Sequence, residues 1–118
     1  NELKHKFENS VEEIGTLLKK YFVEVILGRK SQFRDTSPQV LIVSLPIIKE
    51  EAEYASQRYI GGTEKSKDLK EIYSKIAKTN NCHFVSASEL EVGEDGVHLT
   101  KDSQIELAKM LSEKIKSL

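Results

Sequence analysis

The sequence predicts an α/β domain with a parallel sheet, and three observations carry that expectation. The run "VLIVSL", 40–45, is β-branched and apolar at nearly every position, as a strand covered on both faces is, and "CHFVSA", 82–87, is a second short strand. Apolar residues at helical spacing fill the chain before, between and after these runs. The order helix, strand, helix, strand, helix implies parallel strands joined by a right-handed crossover. Two parallel strands make a poor sheet, because bare edges invite partners, so the pattern is expected to be the second half of a doubly wound domain.

Each element has its own signal. Ser10-Val11-Glu12-Glu13 fits a capping box, in which the Ser caps the first turn and the Glu reaches back to it. Val11, Ile14, Leu18, Phe22 (with Tyr21), Val25 and Ile26 then predict a helix over about 11–27 with one buried face, stopped at Gly28. "DTSPQ", 35–39, is a turn into the first strand, and Pro46 ends that strand. The segment 47–66 reads least clearly. It allows a short helix over 50–59, a flexible loop at Gly61-Gly62, and a cap at Ser66 for the next helix. Leu69, Ile72, Tyr73, Ile76 and Ala77 form that helix's buried stripe, and Asn80-Asn81 stops it. Thr100 or Ser103 caps a final helix with Ile105, Leu107, Ala108, Leu111 and Ile115 on its apolar side.

Composition narrows the function classes. At 118 residues without an internal repeat, 1–118 is expected to belong to one domain. A chain of this size buries roughly two-thirds of its unfolded surface, enough for a core. Eighteen basic residues against nineteen acidic, a net charge of −1, call for neither nucleic acid nor an anionic membrane as partner. No apolar run approaches the roughly twenty residues that span a bilayer. Cys82 is the only cysteine and begins a strand, so it is expected to be buried and inert. His5, His83 and His98 are scattered, without metal-ligand spacing, and Gly61-Gly62 lacks the Lys-Ser/Thr of a phosphate loop. Tyr54 and Tyr59, with Arg58 between, are read as packing residues that could also line a pocket or partner surface.

The chemistry concentrates in "GEDGVHLT", 93–100, the loop after the second strand. In open α/β sheets, functional groups collect at the carboxyl ends of strands. An Asp three residues before a His can turn its carboxylate onto the His Nδ1–H, fixing the tautomer and leaving Nε2 as a general base. Such a pair would activate a serine hydroxyl, and that serine must come from elsewhere in the fold. The same residues also suit a solvated turn, since Asp-Gly is a common turn pair.

"DGVHLT" followed by "LAKMLSEKI" resembles the final block of the SGNH, or GDSL-like, hydrolase superfamily, whose Asp-x-x-His sits just before the last helix. "NELKHKF" is similar to the segment after that family's Gly-x-Asn-Asp block, particularly in arylesterase-like members. "PQVLIVSLPII" resembles the fourth strand and its following loop, and "SKDLKEIYSKIAKTNNCHFVSAS" the helix and fifth strand before the Asp-His loop. The matches run in family order, leaving 49–63 loosely matched.

The resemblance implies a flavodoxin-like three-layer α/β/α sandwich, of which this chain supplies the last two strands and flanking helices. It implies hydrolysis of carboxylic esters through an acyl-enzyme, with no cofactor and no metal, and a small-molecule ester as substrate. His98 would be the base and Asp95 its orienter. Asn1 matches the oxyanion-hole Asn, although its preceding Gly is missing and Glu2 stands where the family has Asp. Pro46, Ile47 and Ile48 resemble the loop bordering the acyl or alcohol pocket. The nucleophile's Gly-Asp-Ser block and the second-block Gly are absent, so no serine here fills that role. The expected consequence is a missing N-terminal half, or self-association, covering an open sheet edge. The opposing expectation is a non-catalytic α/β binding or assembly module, in which Asp95 and His98 need not touch.

Overall fold

The computed structural model describes residues 1–118. A 3₁₀ turn at His5–Phe7 leads to α1 (Val11–Leu18), a π-helical turn (Lys19–Val23) and α2 (Glu24–Leu27). There follow β1 (Leu41–Val43), α3 (Glu53–Arg58), α4 (Gly62–Thr79), β2 (His83–Val85) and α5 (Lys101–Lys116). The strands pair in parallel, with Leu41 opposite His83, Ile42 opposite Phe84 and Val43 opposite Val85. The fold is α/β, of the flavodoxin-like three-layer type, represented by two strands and the helices that flank them.

The capping box at the start of α1 forms as expected. The Glu13 N–H donates to Ser10 Oγ (3.1 Å), and the Ser10 N–H donates to Glu13 Oε2 (2.8 Å). Helical backbone continues to Leu27, but the apolar stripe does not bury as one face. Val11, Ile14 and Val23 are buried, whereas Tyr21, Phe22, Val25 and Ile26 are exposed, Phe22 at 60%. The π turn accounts for the difference. An i→i+5 turn holds one extra residue, which rotates everything after it and brings Val23 onto the core in place of Phe22.

α1 lies on α4, and α4 lies on both strands. The helices approach closely at Gly15, where a Cβ would stand 2.5 Å from Ile72 Cγ2. One core cluster joins Leu3, Val11, Ile14, Ile48, Ala55, Tyr59 and Leu69. A second joins Val23, Ile42, Ile76 and Ala77 beneath the sheet.

The segment 47–66, the least legible in the sequence, is ordered by long-range bonds. Gly61-Gly62 is not a flexible loop: α4 begins at Gly62, four residues before the expected cap at Ser66. Glu50 does the capping from outside the helix, its carboxylate accepting the Gly61 and Thr63 N–H groups at 3.1 and 2.8 Å. Those contacts hold the Glu50 carboxyl below its ordinary pKa, the Thr63 N–H contributing most. Ser66, inside the helix, is fully buried; its hydroxyl accepts the Ile48 N–H (3.0 Å) and donates to the Thr63 carbonyl (2.9 Å).

Asn80-Asn81 ends α4 as expected, Asn81 adopting φ 53°. Cys82 is half-buried, with burial raising its thiol pKa. Thr100, rather than Ser103, caps α5, accepting the Ser103 N–H at 3.0 Å. The apolar side of α5 is not buried: Ser103 is the only buried residue of that helix, and Ile105 and Ile115 are exposed. Bare faces also show in the dimensions, since the radius of gyration is 15.6 Å against roughly 13.5 Å for a closed domain of this length.

Candidate functional site: the Asp95–His98 loop

The two strands end in a knot of hydroxyls. The Ser44 hydroxyl donates to Ser86 Oγ (3.2 Å) and accepts the Ala87 N–H (3.1 Å), while the Ser86 hydroxyl donates to Ser88 Oγ (3.1 Å). The knot ties the carboxyl ends together and fixes where the loop 88–99 departs. The loop then closes on itself through an antiparallel bridge between Val92 and Leu99. The Gly93 N–H donates to the His98 carbonyl (2.8 Å), and the Thr100 N–H to the Glu91 carbonyl (3.2 Å).

Within this closed loop, Asp95 organises the turn. Its Oδ1 accepts the Val97 N–H (2.8 Å) and the His98 N–H (2.9 Å), and its Oδ2 lies 2.6 Å from His98 Nδ1. These contacts, the Val97 N–H foremost and the His98 ring next, lower the Asp95 pKa to about 2. An ionised carboxylate only accepts, so the hydrogen between the two side chains belongs to Nδ1. In the neutral ring Nε2 is then the unprotonated nitrogen, on a side chain that is 71% exposed. No serine hydroxyl of the chain bonds to it.

The loop is seated on the segment after β1. The Lys49 N–H donates to the Gly96 carbonyl (2.9 Å). Gly96 has φ +74°, and a Cβ there would lie 2.3 Å from the Lys49 carbonyl oxygen and 2.8 Å from Ala52 Cβ. Both the backbone conformation and the close approach therefore require glycine. Spacing along the chain gives no sign of this partner, which lies in the poorly legible 47–66 segment.

Beside the loop is a mainly apolar cavity of about 110 Å³. Leu45, Pro46, Ile48, Tyr59 and Val97 line it, together with the polar residues Asn1 and Glu2. The expected pocket residues Pro46 and Ile48 thus face the same cavity as Asn1, whereas the half-buried Ile47 is not part of the lining. Burial raises the Tyr59 phenol pKa, with the Tyr54 and Asp95 charges adding to it. Leu45 and Val97 were not singled out in the sequence, and Tyr59 only as a packing residue that could line a pocket, because only the fold brings these separate segments to one cavity. No three His, Cys, Asp or Glu side chains come together as a metal site, and no helix is long and apolar enough to cross a membrane.

Comparison with known proteins agrees with this architecture. A family model described as "Carbohydrate esterase, sialic acid-specific acetylesterase" matches residues 30–117. Among solved structures, a carbohydrate acetylesterase from Sinorhizobium meliloti is 26% identical with a TM-score of 0.84, over 99% of this chain and 56% of its own. The native aryl esterase of M. smegmatis is 27% identical with a TM-score of 0.83, over 100% of this chain and 57% of its own. A second Sinorhizobium meliloti structure, of a carbohydrate acetylesterase family member, shares the fold with a TM-score of 0.86 at 22% identity, over 99% of this chain and 56% of its own. The chain thus spans little more than half the length of these proteins. No curated protein matches the sequence.

Proposed function

The chain belongs to the carbohydrate esterase family described as sialic acid-specific acetylesterase, and on that premise we propose that it is the base-bearing part of an SGNH-type serine esterase. Residues 1–118 are, in this proposal, the C-terminal part of one such domain. The observation that carries it is the 2.6 Å contact between Asp95 Oδ2 and His98 Nδ1, with Nε2 left free in solvent. A module that kept the fold only for binding or assembly has no need of that contact.

His98 Nε2 takes the proton of a serine Oγ as that oxygen attacks the ester carbonyl, and Asp95 stabilises the imidazolium that forms. The protonated His98 then gives its proton to the departing alcohol. In the second half it deprotonates the water that releases the acid from the acyl-enzyme. Asn1, which lines the apolar cavity, offers a side-chain amide to the tetrahedral oxyanion, a donor of the kind that contributes about 3 kcal/mol. A cavity of about 110 Å³ walled by Leu45, Pro46 and Ile48 suits a short acyl group.

The serine comes from outside these 118 residues. The surfaces that would receive its segment are open. Ser44 N–H and Val40 carbonyl bond toward β2, so Leu41 and Val43, at alternate positions, direct their backbone groups to an edge with no neighbouring strand. Phe22, Val25 and Ile26 are bare on α2 and the turn before it. A second chain segment carrying the earlier strands, or a second copy, covers them.

The test measures intact mass together with hydrolysis of p-nitrophenyl acetate and butyrate by the wild type and His98→Ala. Turnover by a protein heavier than this chain, reduced about 10³-fold or more by His98→Ala, supports the proposal. Turnover unaffected by that substitution refutes it.

A further inference from the structure

The cavity beside the Asp95–His98 loop is mainly apolar, yet a buried hydroxyl opens into it. Tyr59 lines this cavity and is 4% exposed. Its hydroxyl bonds to no other group of the protein. Nor is that hydroxyl sealed off, since every fully buried side-chain polar atom has a partner. The small exposed part of Tyr59 therefore includes the hydroxyl, on the side where Leu45, Ile48 and Val97 form the cavity wall. A tyrosine buried this deeply ordinarily finds a hydrogen-bond partner within the fold. Here the partner has to enter through the cavity.

The ring is held where it stands. The Tyr59 N–H donates to the Ala55 carbonyl (2.8 Å), and the Gly62 N–H donates to the Tyr59 carbonyl (2.7 Å). Tyr54 meets the Tyr59 ring at 6.5 Å between centroids, and the Arg58 guanidinium lies 4.3 Å from the centre of the Tyr54 ring. Leu3, Ile48 and Leu69 share the core cluster with it. Burial first, then the Tyr54 and Asp95 charges, raise the phenol pKa, so at neutral pH the hydroxyl keeps its proton and can donate. Tyr73, the other phenol of the lining, is half-buried and also borders an open groove with Leu17, Tyr21 and Phe22, so its hydroxyl is not confined to the cavity.

In the esterase proposal this cavity receives the acyl group. A hydrocarbon chain that fills it displaces water from the Tyr59 hydroxyl without replacing the hydrogen bond, whereas a chain with its own oxygen restores it. A site with a buried donor rejects the analogue lacking the matching group far more strongly than an apolar pocket rejects an added hydroxyl. We infer that Tyr59 is a specificity-determining residue whose hydroxyl donates to an oxygen on the acyl chain, so that the site selects short hydroxyacyl esters over plain alkyl ones. The use of the cavity for substrate rests on the esterase proposal; the hydroxyl's need of a partner rests on its own burial.

The experiment is an NMR titration of the whole chain, isotope-labelled at the tyrosine Cζ, with two near-isosteric pairs of methyl esters. Methyl lactate is set against methyl isobutyrate, and methyl 3-hydroxybutyrate against methyl 3-methylbutyrate; in each pair a hydroxyl takes the place of a methyl group. At least one hydroxy ester is expected to bind about tenfold more tightly than its alkyl counterpart, the worth of one hydrogen bond to a buried donor. It should shift the amides of Leu45, Ile48 and Val97 and the Tyr59 Cζ signal. Tyr59→Phe is expected to abolish the preference while still binding the alkyl ester. Equal affinities within both pairs, or no binding of any of the four, overturn the inference, as does a preference that survives Tyr59→Phe. Should that variant fail to fold, the wild-type Cζ signal decides, and its failure to move with the preferred ester overturns the inference. Turnover abolished by His98→Ala in a protein without the hydroxy preference refutes this inference and leaves the esterase proposal standing.

Discussion

Replacing Gly96 by alanine tests how the Asp95–His98 loop is held. The new Cβ would lie 2.3 Å from the Lys49 carbonyl oxygen, 2.8 Å from Ala52 Cβ and 3.1 Å from Ala55 Cβ. The nearest of these is backbone, so no rotamer change relieves the overlap. A left-handed φ of +74° adds about 1–2 kcal/mol for a residue with a Cβ. Overpacking a fitted contact costs about 1–3 kcal/mol more. If the loop lifts to escape, the Lys49–Gly96 hydrogen bond of 2.9 Å is lost, a further ~1 kcal/mol. The expected destabilisation is therefore about 3–6 kcal/mol, a large share of the 5–15 kcal/mol typical of a domain. Urea denaturation measures it. The resonance of the proton shared by His98 Nδ1 and Asp95 reports whether the pair moves with the loop. Gly93→Ala is the control, because its Cβ would meet nothing nearer than the His98 carbonyl at 3.7 Å. A Gly96→Ala loss below about 1 kcal/mol, equal to that of Gly93→Ala and with the shared proton unshifted, would refute the seating of this loop on Lys49.

Three further outcomes follow from the same geometry. The folded Asp95 pKa of about 2 lies below the unfolded value of about 3.9, so its contribution to stability is full above pH ~4 and is lost as pH falls toward 2; Asp95→Asn is expected to flatten that limb of a stability–pH curve. Ser66→Ala leaves the buried Ile48 N–H without its acceptor and should cost about 1–3 kcal/mol by thermal or urea unfolding, whereas a surface cap would cost about 1 kcal/mol. Gly15→Ala gains up to about 1 kcal/mol of helix propensity but places a Cβ 2.5 Å from Ile72 Cγ2. The clash should win, giving net destabilisation that Ile72→Leu, which lacks the γ2 methyl, partly restores.

The exposed faces reflect how the core is distributed. Only 22 of 118 residues are buried, so the core is two small clusters rather than one. α2, α5 and the outer edge of β1 each carry apolar or hydrogen-bonding surface that a larger α/β sheet would cover. This matches the lengths of the similar structures, of which the chain spans little more than half.

What the sequence by itself determined was local, or carried by family resemblance. The Ser10–Glu13 box, the Thr100 cap, the stop at Asn80-Asn81 and the Asp95–His98 contact all join residues one turn apart, so a few letters specify both partners. The two apolar runs specified parallel strands because neither shows an exposed face. Tertiary structure decided the rest. Glu50 caps α4 from 11 and 13 residues away, and that capture starts the helix at Gly62 and frees Ser66 to bury its hydroxyl against Ile48. The π turn chose Val23 over Phe22 for the core. Lys49 and Gly96 are 47 positions apart, yet their contact seats the Asp–His loop. Each of these depends on which of several chemically suitable partners the folded backbone brings within reach, and chain spacing holds no record of that choice.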